Sequence, residues 1–225
     1  DDPSHPMFAR AFSGAYPPAS TYKVVTALAA LENGTVDGET LIDGPGSMKI
    51  AGRVFKNWHT GSEGKIGVQR ALARSCNTWF YKVGMQAGAE SFSTMSMRLG
   101  FGTPTGIPLA AEAGGFVPTE ANMQASYGYA LRDGYLANAA IGQGQVLASP
   151  LQVAQMMAAV ANGKYLPELR LVSEVQDLDG KVVQSYPPAA RHALEISEES
   201  LELVRGGLDE PSSFATIAAD RSGEV

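Results

Sequence analysis

Hydrophobic and polar residues change rhythm several times along the chain, and each change predicts an element. From Val24 to Leu31 the only polar residue is Thr26; Pro17-Pro18 stand ahead of this run and Asn33-Gly34 end it. A stretch with no polar face predicts a buried helix, opened after the prolines and closed by an Asn-Gly cap. Gly67 to Arg74 reads as an amphipathic stretch. Trp79-Phe80-Tyr81-Lys82-Val83 reads as a second apolar one, with Ser75-Cys76-Asn77 between them. Helical signals dominate to about Met97. Thr103 to Asn138 is rich in Gly, Pro and Asn and carries Tyr127, Tyr129 and Tyr135, which predicts irregular structure near a surface or cleft. Ser149-Pro150-Leu151-Gln152 has the form of a capping box with Pro in the first helical position, predicting a helix to about Asn162-Gly163. Leu169 to Val175 and Lys181 to Tyr186 alternate around Asp177-Leu178-Asp179-Gly180, as the strands of a β-hairpin do. Ser197 to Leu208 predicts a closing helix. The whole reads as an α/β plan with no internal repeat, low-complexity tract or clear interior linker.

Composition narrows the possibilities. At 225 residues, 44% of them apolar, the chain can bury one large core and is expected to be one domain. The net charge of −6, from 17 Lys and Arg against 23 Asp and Glu, argues against nucleic acid, and no basic run offers a phosphate-binding surface. One cysteine forbids an internal disulfide. No stretch reaches the ~20 apolar residues of a membrane span, and no signal peptide opens the chain.

Candidate chemistry sits at the start of the first helix. A spacing of three puts Ser20 and Lys23 on one face of its first turn. A serine hydroxyl becomes a strong nucleophile when a base is within hydrogen-bond reach, and a lysine amine is such a base if held neutral. Free lysine titrates near ~10.4; burial and the positive end of a helix dipole both push it down. The plain alternative is an N-capping Ser followed by a solvated Lys. Ser75-Cys76-Asn77 is the second candidate. Between two helices, Ser75 and Asn77 can turn the same way while Cys76 faces the core; the alternative is an ordinary Ser or Asx turn. Beside a Ser/Lys pair, the hydroxyl could relay a proton to a leaving amine and the carboxamide could hold a substrate peptide bond.

Together these residues resemble a known family. Tyr16-Pro17-Pro18-Ala19-Ser20-Thr21-Tyr22-Lys23 is similar to the Y-P-P-G-S-T-x-K signature of class B penicillin-binding proteins, the serine D,D-transpeptidases that cross-link peptidoglycan. Ser75-Cys76-Asn77 looks like their second motif, with Trp79-Phe80-Tyr81 where the family carries F-F-Y-type residues. Gly100-Phe101-Gly102, Thr105-Gly106-Ile107 and Leu109 resemble the F-G-x-G-x-x-T-G-I-x-L segment. Ile141-Gly142-Gln143-Gly144-Gln145 with Ser149-Pro150-Leu151-Gln152 resembles the I-G-Q-G-x-x-x-x-T-P-L-Q block. The likeness runs from about His5 to Leu208, and the Trp58-centred segment looks most like the elongation type, penicillin-binding protein 2.

The resemblance implies a penicillin-binding/serine β-lactamase-like fold, an antiparallel sheet with a helical subdomain and the active site between them. It implies Ser20 as nucleophile, Lys23 as its base, Ser75 as proton relay and Asn77 as substrate-holding amide, with no cofactor. The backbone N–H of Ser20 would form half of an oxyanion hole. Substrates would be peptidoglycan stem peptides ending in D-Ala-D-Ala, with β-lactam antibiotics entering the same route and stalling as acyl-enzymes. The chain reads as an excised catalytic domain of a periplasmic enzyme. In full-length relatives an amino-terminal inner-membrane anchor and a pedestal domain precede it, and a glycosyltransferase and the elongation machinery act beside it.

One departure matters. No Lys-Thr-Gly or Lys-Ser-Gly, the family's third motif, occurs in the sequence. Arg221-Ser222-Gly223 comes too soon after the closing helix, and Ser213 to Ala218 resembles the strand that follows that motif. A segment is therefore expected to be missing between Pro211 and Ser213. A true deletion would leave the substrate carboxylate without its usual partner, which keeps a β-lactam-sensing or non-catalytic acyl-binding domain as the alternative. A serine β-lactamase with a Ser-x-Val second motif is weakened by Asn77 and by the lack of an identifiable deacylating residue. A structural scaffold with a relic site is a third possibility.

Other constellations are read more plainly. Asp43, Asn57, His59, Glu63 and Cys76 lie near positions where some elongation-type relatives hold a metal with Asp, His and Cys. Asn57 and Glu63 stand where stronger ligands are expected, so a buried structural Cys76 and no metal is the reading. His5 and His192 read as solvated, Met95, Met97, Met156 and Met157 as core packing, and Gly142 and Gly144 as a tight backbone turn.

Overall fold

The computed structural model describes residues 7–210. The readings that fall on Pro211 to Ser213, on Ser213 to Ala218 and on Arg221 to Gly223, together with that of His5, lie outside the described residues.

The centre of the molecule is α1 (Lys23–Glu32), entered directly from a 3-10 turn at Ala19–Tyr22. Every side chain from Lys23 to Ala30 is buried, as a helix with no polar face demands. Each large apolar side chain so buried stabilises the fold by about 1.5–3 kcal/mol. The helix ends as expected: Asn33 N–H donates to the Ala29 carbonyl at 3.2 Å and Gly34 takes a left-handed φ of 74°. Asn33 also donates from Nδ2 to the Ala87 carbonyl at 3.0 Å, tying the end of α1 to the next long helix.

That helix, α3 (Asn77–Arg98), is broken once, at Gly88, where φ is 83° and ψ 163°. It packs against α1 and against α5 (Asp133–Ala140). Gly84 makes this approach possible, since a Cβ there would lie 2.4 Å from the Ala140 Cβ and 3.4 Å from Thr26 Cγ2. Thr26, the one polar residue within the apolar run, donates to the Ala140 carbonyl at 2.7 Å. Its hydroxyl is thereby satisfied inside the core.

Two stretches depart from the sequence expectations. Helical signals do not extend unbroken to Met97: residues 42–66 form four short strands. β1 (Ile42–Asp43) pairs antiparallel with β4 (Lys65–Ile66), and β2 (Ser47–Ile50) with β3 (Arg53–Lys56). The β2–β3 turn is Ala51-Gly52 with φ of 47° and 80°. Two positive φ values suit a two-residue hairpin, but Ala-Gly lacks the Asn or Asp that advertises one. Nor is Thr103 to Asn138 irregular throughout. It holds α4 (Glu120–Tyr127) and most of α5. Thr119 caps α4 in a reciprocal box with Asn122, and Gly128 closes it in the left-handed region. The box escaped notice because Asn stands where Glu or Gln is usual.

The rest follows the sequence closely. Between β4 and α3 lies α2 (Val68–Ala73). The helix α6 (Pro150–Asn162) starts with the Ser149–Gln152 capping box and Pro in its first turn, and ends at Gly163. β6 (Glu174–Gln176) and β7 (Val182–Ser185) form the expected hairpin, with β5 (Tyr165–Pro167) paired to β8 (Ala190–Ala193) outside it. Ser197 caps α7 (Glu198–Asp209), which packs on α1 and α2. Met95 and Met156 are core residues as expected, whereas Met97 and Met157, two residues and one residue further on, fall on the outer faces of their helices and are exposed.

Candidate active site

Lys23 follows a turn in which only Tyr22 is buried. Lys23 itself is 1% exposed, whereas Ser20, one turn earlier, faces solvent. The Lys23 Nζ lies 3.1 Å from Ser20 Oγ, 2.8 Å from Ser75 Oγ, 2.7 Å from the Ser75 carbonyl oxygen and 2.6 Å from Asn77 Oδ1. Ser75 Oγ is in turn 3.1 Å from Ser20 Oγ. All four residues singled out in the sequence therefore meet in one cluster, bridging positions more than 50 residues apart.

The partner set by itself suits both charge states. The Ser75 carbonyl and the Asn77 Oδ1 can only accept, and the Ser75 and Ser20 hydroxyls can accept as well, so a charged lysine finds an acceptor for each of its three N–H groups. A neutral lysine can give two N–H groups to the two obligatory acceptors and take a hydroxyl proton on its lone pair. Burial decides between them. Burial pushes the Lys23 pKa down to about 7, while the nearby Cys76 thiol pulls the other way. The Phe80 ring centroid, 5.5 Å from Nζ, forms an apolar wall over the amine and attracts it only when charged.

Backbone strain coincides with the cluster. Ala19 has φ 51° and Ser75 φ 49°, two of the five non-glycine residues with positive φ among those described. Such conformations cost about 1–3 kcal/mol each and persist where surroundings over-determine them. At Ala19 the surroundings are the Ile141–Gln145 turn. Ala19 N–H donates to the Gly142 carbonyl at 2.9 Å, and a Cβ on Gly142 would sit 2.3 Å from the Ala19 carbonyl oxygen. Tyr22, fully buried, anchors the other end of the turn against Phe92 and Phe101, with centroids 5.6 and 4.8 Å away. The Ser149-Pro150-Leu151-Gln152 block braces the region below: the buried Gln152 donates to the Thr103 and Gly114 carbonyls at 2.8 and 3.0 Å.

Cys76 points inward and is fully buried beside Gly44, where any Cβ would lie 2.7 Å from its sulfur. The residues around it do not fit a metal. Glu63 already accepts from Arg74 Nε at 3.1 and 3.3 Å and lies 2.7 Å from His59 Nε2. Asn57 is a neutral amide whose oxygen accepts two backbone N–H groups, and Asp43 is half exposed beside Lys82. Among the described residues no three His, Cys, Asp or Glu side chains converge to hold an ion. The sequence named Asn57 as part of a metal-like constellation and Phe80 as part of an apolar stretch, but neither as a neighbour of this cluster, and the Ser75 carbonyl was not singled out; only Phe80 carried a signal for its place here, its spacing of three from Asn77 on the first turn of α3.

The model of the penicillin binding protein transpeptidase domain matches residues 1–216. The chain belongs to this family. As a penicillin-binding transpeptidase domain, it is 33% identical over 195 residues to the peptidoglycan D,D-transpeptidase MrdA of Salmonella typhimurium, covering 85% of this chain and 31% of that protein. The chain thus spans about a third of the length of that curated relative. Two solved structures are similar. The complex between penicillin-binding protein 2 and MreC from Helicobacter pylori superposes with a TM-score of 0.79 at 28% identity, over 92% of this chain and 37% of that one. The ceftriaxone acyl-enzyme of penicillin-binding protein A from M. tuberculosis gives 0.77 at 26% identity, over 92% and 46%. The mixed helical and antiparallel architecture of this transpeptidase domain is accordingly the penicillin-binding/serine β-lactamase-like fold.

Proposed function

We propose that the chain is the catalytic unit of a peptidoglycan D,D-transpeptidase that works through a Ser20 acyl-enzyme. The observation that carries this reading is the buried Lys23 amine, held by two obligatory acceptors and within hydrogen-bond reach of both the Ser20 and the Ser75 hydroxyl. Neutral Lys23 takes the Ser20 proton as Oγ attacks the carbonyl between the two terminal D-alanines of a stem peptide. The oxyanion forms against the Ser20 N–H, a contact of a type worth about 2.7–4 kcal/mol. As the C–N bond breaks, the proton passes from Lys23 through Ser75 Oγ to the departing D-alanine amine. Asn77 holds Lys23 and stands ready for the substrate backbone. The amine of a second stem peptide then attacks the ester, returns its proton along the same path and restores Ser20.

The family relatives support the same reading, in their names and in the β-lactam acyl-enzyme. The third, Lys-Thr/Ser-Gly motif would lie in chain missing between Pro211 and Ser213 and would supply the cation for the substrate carboxylate. Elongation-type partners are the expected company of the whole protein, in keeping with the MreC complex of a relative. Among the described residues no helix is long and apolar enough to cross a membrane, so periplasmic anchoring would rest on chain outside them.

Intact mass after exposure to benzylpenicillin, run beside Ser20→Ala, tests the nucleophile. A stable adduct on the unaltered protein and none on the variant is the expected outcome. No adduct on either well-folded protein would overturn it. D-alanine release from a stem-peptide substrate then separates a transpeptidase from an acyl-binding sensor, which would form the adduct and release none.

A further inference from the structure

Ser75 carries two of the atoms that hold Lys23, yet its backbone sits at a left-handed φ of 49° with no glycine to ease it. Locally the turn is the left-handed close of α2: Ser75 N–H donates to the Leu72 carbonyl at 2.9 Å and Cys76 N–H to the Ala71 carbonyl at 3.0 Å, a Schellman end with Ser where Gly is usual. Those two bonds hold it from the α2 side, and the helix that follows adds no cap of its own. Cys76, at the N-cap of α3, makes no side-chain capping bond, so the first N–H groups of α3 need partners from elsewhere.

Two consecutive residues after β3 serve the two sides of this junction, one accepting an N–H of α3 and the other donating to a carbonyl at the end of α2. Asn57, buried, accepts the Asn77 N–H on its Oδ1 at 2.9 Å, capping α3 from 20 positions upstream. Trp58 donates from Nε1 to the Arg74 carbonyl at 2.9 Å. One residue grips the chain two positions after Ser75, and the next grips it one position before. The amide orientation of Asn57 is fixed by its oxygen, which also accepts the Trp58 N–H at 3.1 Å. Its Nδ2 faces Cys76 Sγ at 3.7 Å and His59 Nε2 at 3.2 Å. The two fingers are themselves braced. His59 Nε2 lies 2.7 Å from Glu63 Oε1, Glu63 accepts from Arg74 Nε at 3.1 Å, and the Arg74 guanidinium lies 5.9 Å from the Trp58 ring centroid. On the Trp58 side the contacts run from Glu63 through Arg74 to Trp58, while His59 Nε2 carries one proton or one lone pair and so serves either Glu63 or Asn57.

We infer that Asn57 and Trp58 are positioning residues, a clamp that holds the Ser75 turn in its strained form and so presents the Ser75 carbonyl, Ser75 Oγ and Asn77 Oδ1 to Lys23. Neither touches the reacting atoms. The consequence for catalysis rests on the proposed Ser20 acylation, but the clamp itself has a readout that does not.

The test compares Asn57→Ala, Asn57→Asp and Trp58→Phe in the full chain. Acylation by a fluorescent penicillin, resolved into rate constant and half-saturation, is the first readout. Hydrogen exchange at the Asn77 amide is the second. Losing a part-buried hydrogen bond gives Asn57→Ala an expected fall of about tenfold in the acylation rate constant, with half-saturation little changed; Trp58→Phe loses an exposed bond that water can partly replace, and a fall of about threefold is expected. Asn77 exchange is expected to speed up about tenfold in Asn57→Ala, by the same loss. Asn57→Asp keeps the acceptor at a helix N-terminus, where a negative charge is favoured, and is expected to retain both acylation and protection. If the unaltered protein is not acylated, the proposed reaction fails and exchange alone decides the clamp. If Asn57→Ala does not fold, Trp58→Phe and Asn57→Asp decide it. Unchanged acylation and unchanged Asn77 protection in the folded variants would overturn the inference. So would an Asn57→Asp protein as impaired as Asn57→Ala, because the role would then be packing rather than acceptance.

Discussion

A lysine serves as a base only in the pH range where its lone pair is available, and at Lys23 that range is set by burial. With its pKa lowered to about 7, the amine sheds its proton as pH rises through neutrality. Acylation of Ser20 is therefore expected to climb with pH along a limb near 7 and to level off above it, as measured with a fluorescent penicillin from about pH 5 to 9. A limb near the ordinary lysine value would mean that the amine is solvated and the site is not formed as described. Arginine cannot shed a proton in this range, so Lys23→Arg is expected to abolish acylation at every pH tested. At this scale the sequence was informative about identity: the spacing of Ser20 and Lys23 already placed hydroxyl and amine on one face. It said nothing of the Ala19 and Ser75 backbones, because neither alanine nor serine announces a positive φ. The family signature carries Gly where this chain has Ala19, and the strain is the physical content of that difference.

Between elements, the Ser20 turn depends on a neighbour more than 120 residues downstream. The Gly142 carbonyl accepts the Ala19 N–H, and the two backbones approach so closely that only glycine fits. Gly142 also has a φ of 67°, disfavoured for any side chain. Gly142→Ala would place a Cβ 2.3 Å from the Ala19 oxygen and 2.7 Å from the Tyr22 Cβ, forcing the Ser20 turn outward. Overpacking of this kind costs about 1–3 kcal/mol, and here it is expected to appear as lost acylation as well as a lower denaturation midpoint. A variant that acylates at the original rate would sink the idea that this contact sets Ser20. From the sequence, Gly142 and Gly144 were legible as a tight turn, whereas the surface against which the turn packs was not. Similarly, α6 was legible because its cap, its Pro and its terminal Gly are all local. The strands β1 to β4 were not, since two to four residues carry too little alternation to register.

Across the whole molecule, α1, α3 and α5 close on one another where Gly84 leaves room. Gly84→Ala is expected to destabilise the fold by about 1–3 kcal/mol in urea titration, through contact with Ala140 and Thr26 rather than with the site. A midpoint equal to that of the original protein would show that the helices shift apart without cost. This packing is what keeps Lys23 dry, so the chemistry of one amine depends on contacts made by all three helices. By itself the sequence determined the helices α1, α2, α3, α6 and α7, the caps that bound α6, the α/β class and the residue types able to perform acyl transfer. Those properties depend on periodicity, caps and spacings spanning a few residues, and such interactions are encoded where they act. Only the tertiary structure decided that Ser75 and Asn77 meet Lys23, that the amine loses its water, and that Asn57 and Trp58 bracket the Ser75 turn. Desolvation and hydrogen-bond geometry are set by whatever surrounds a group, and at Lys23 most of that surrounding comes from chain far away in sequence.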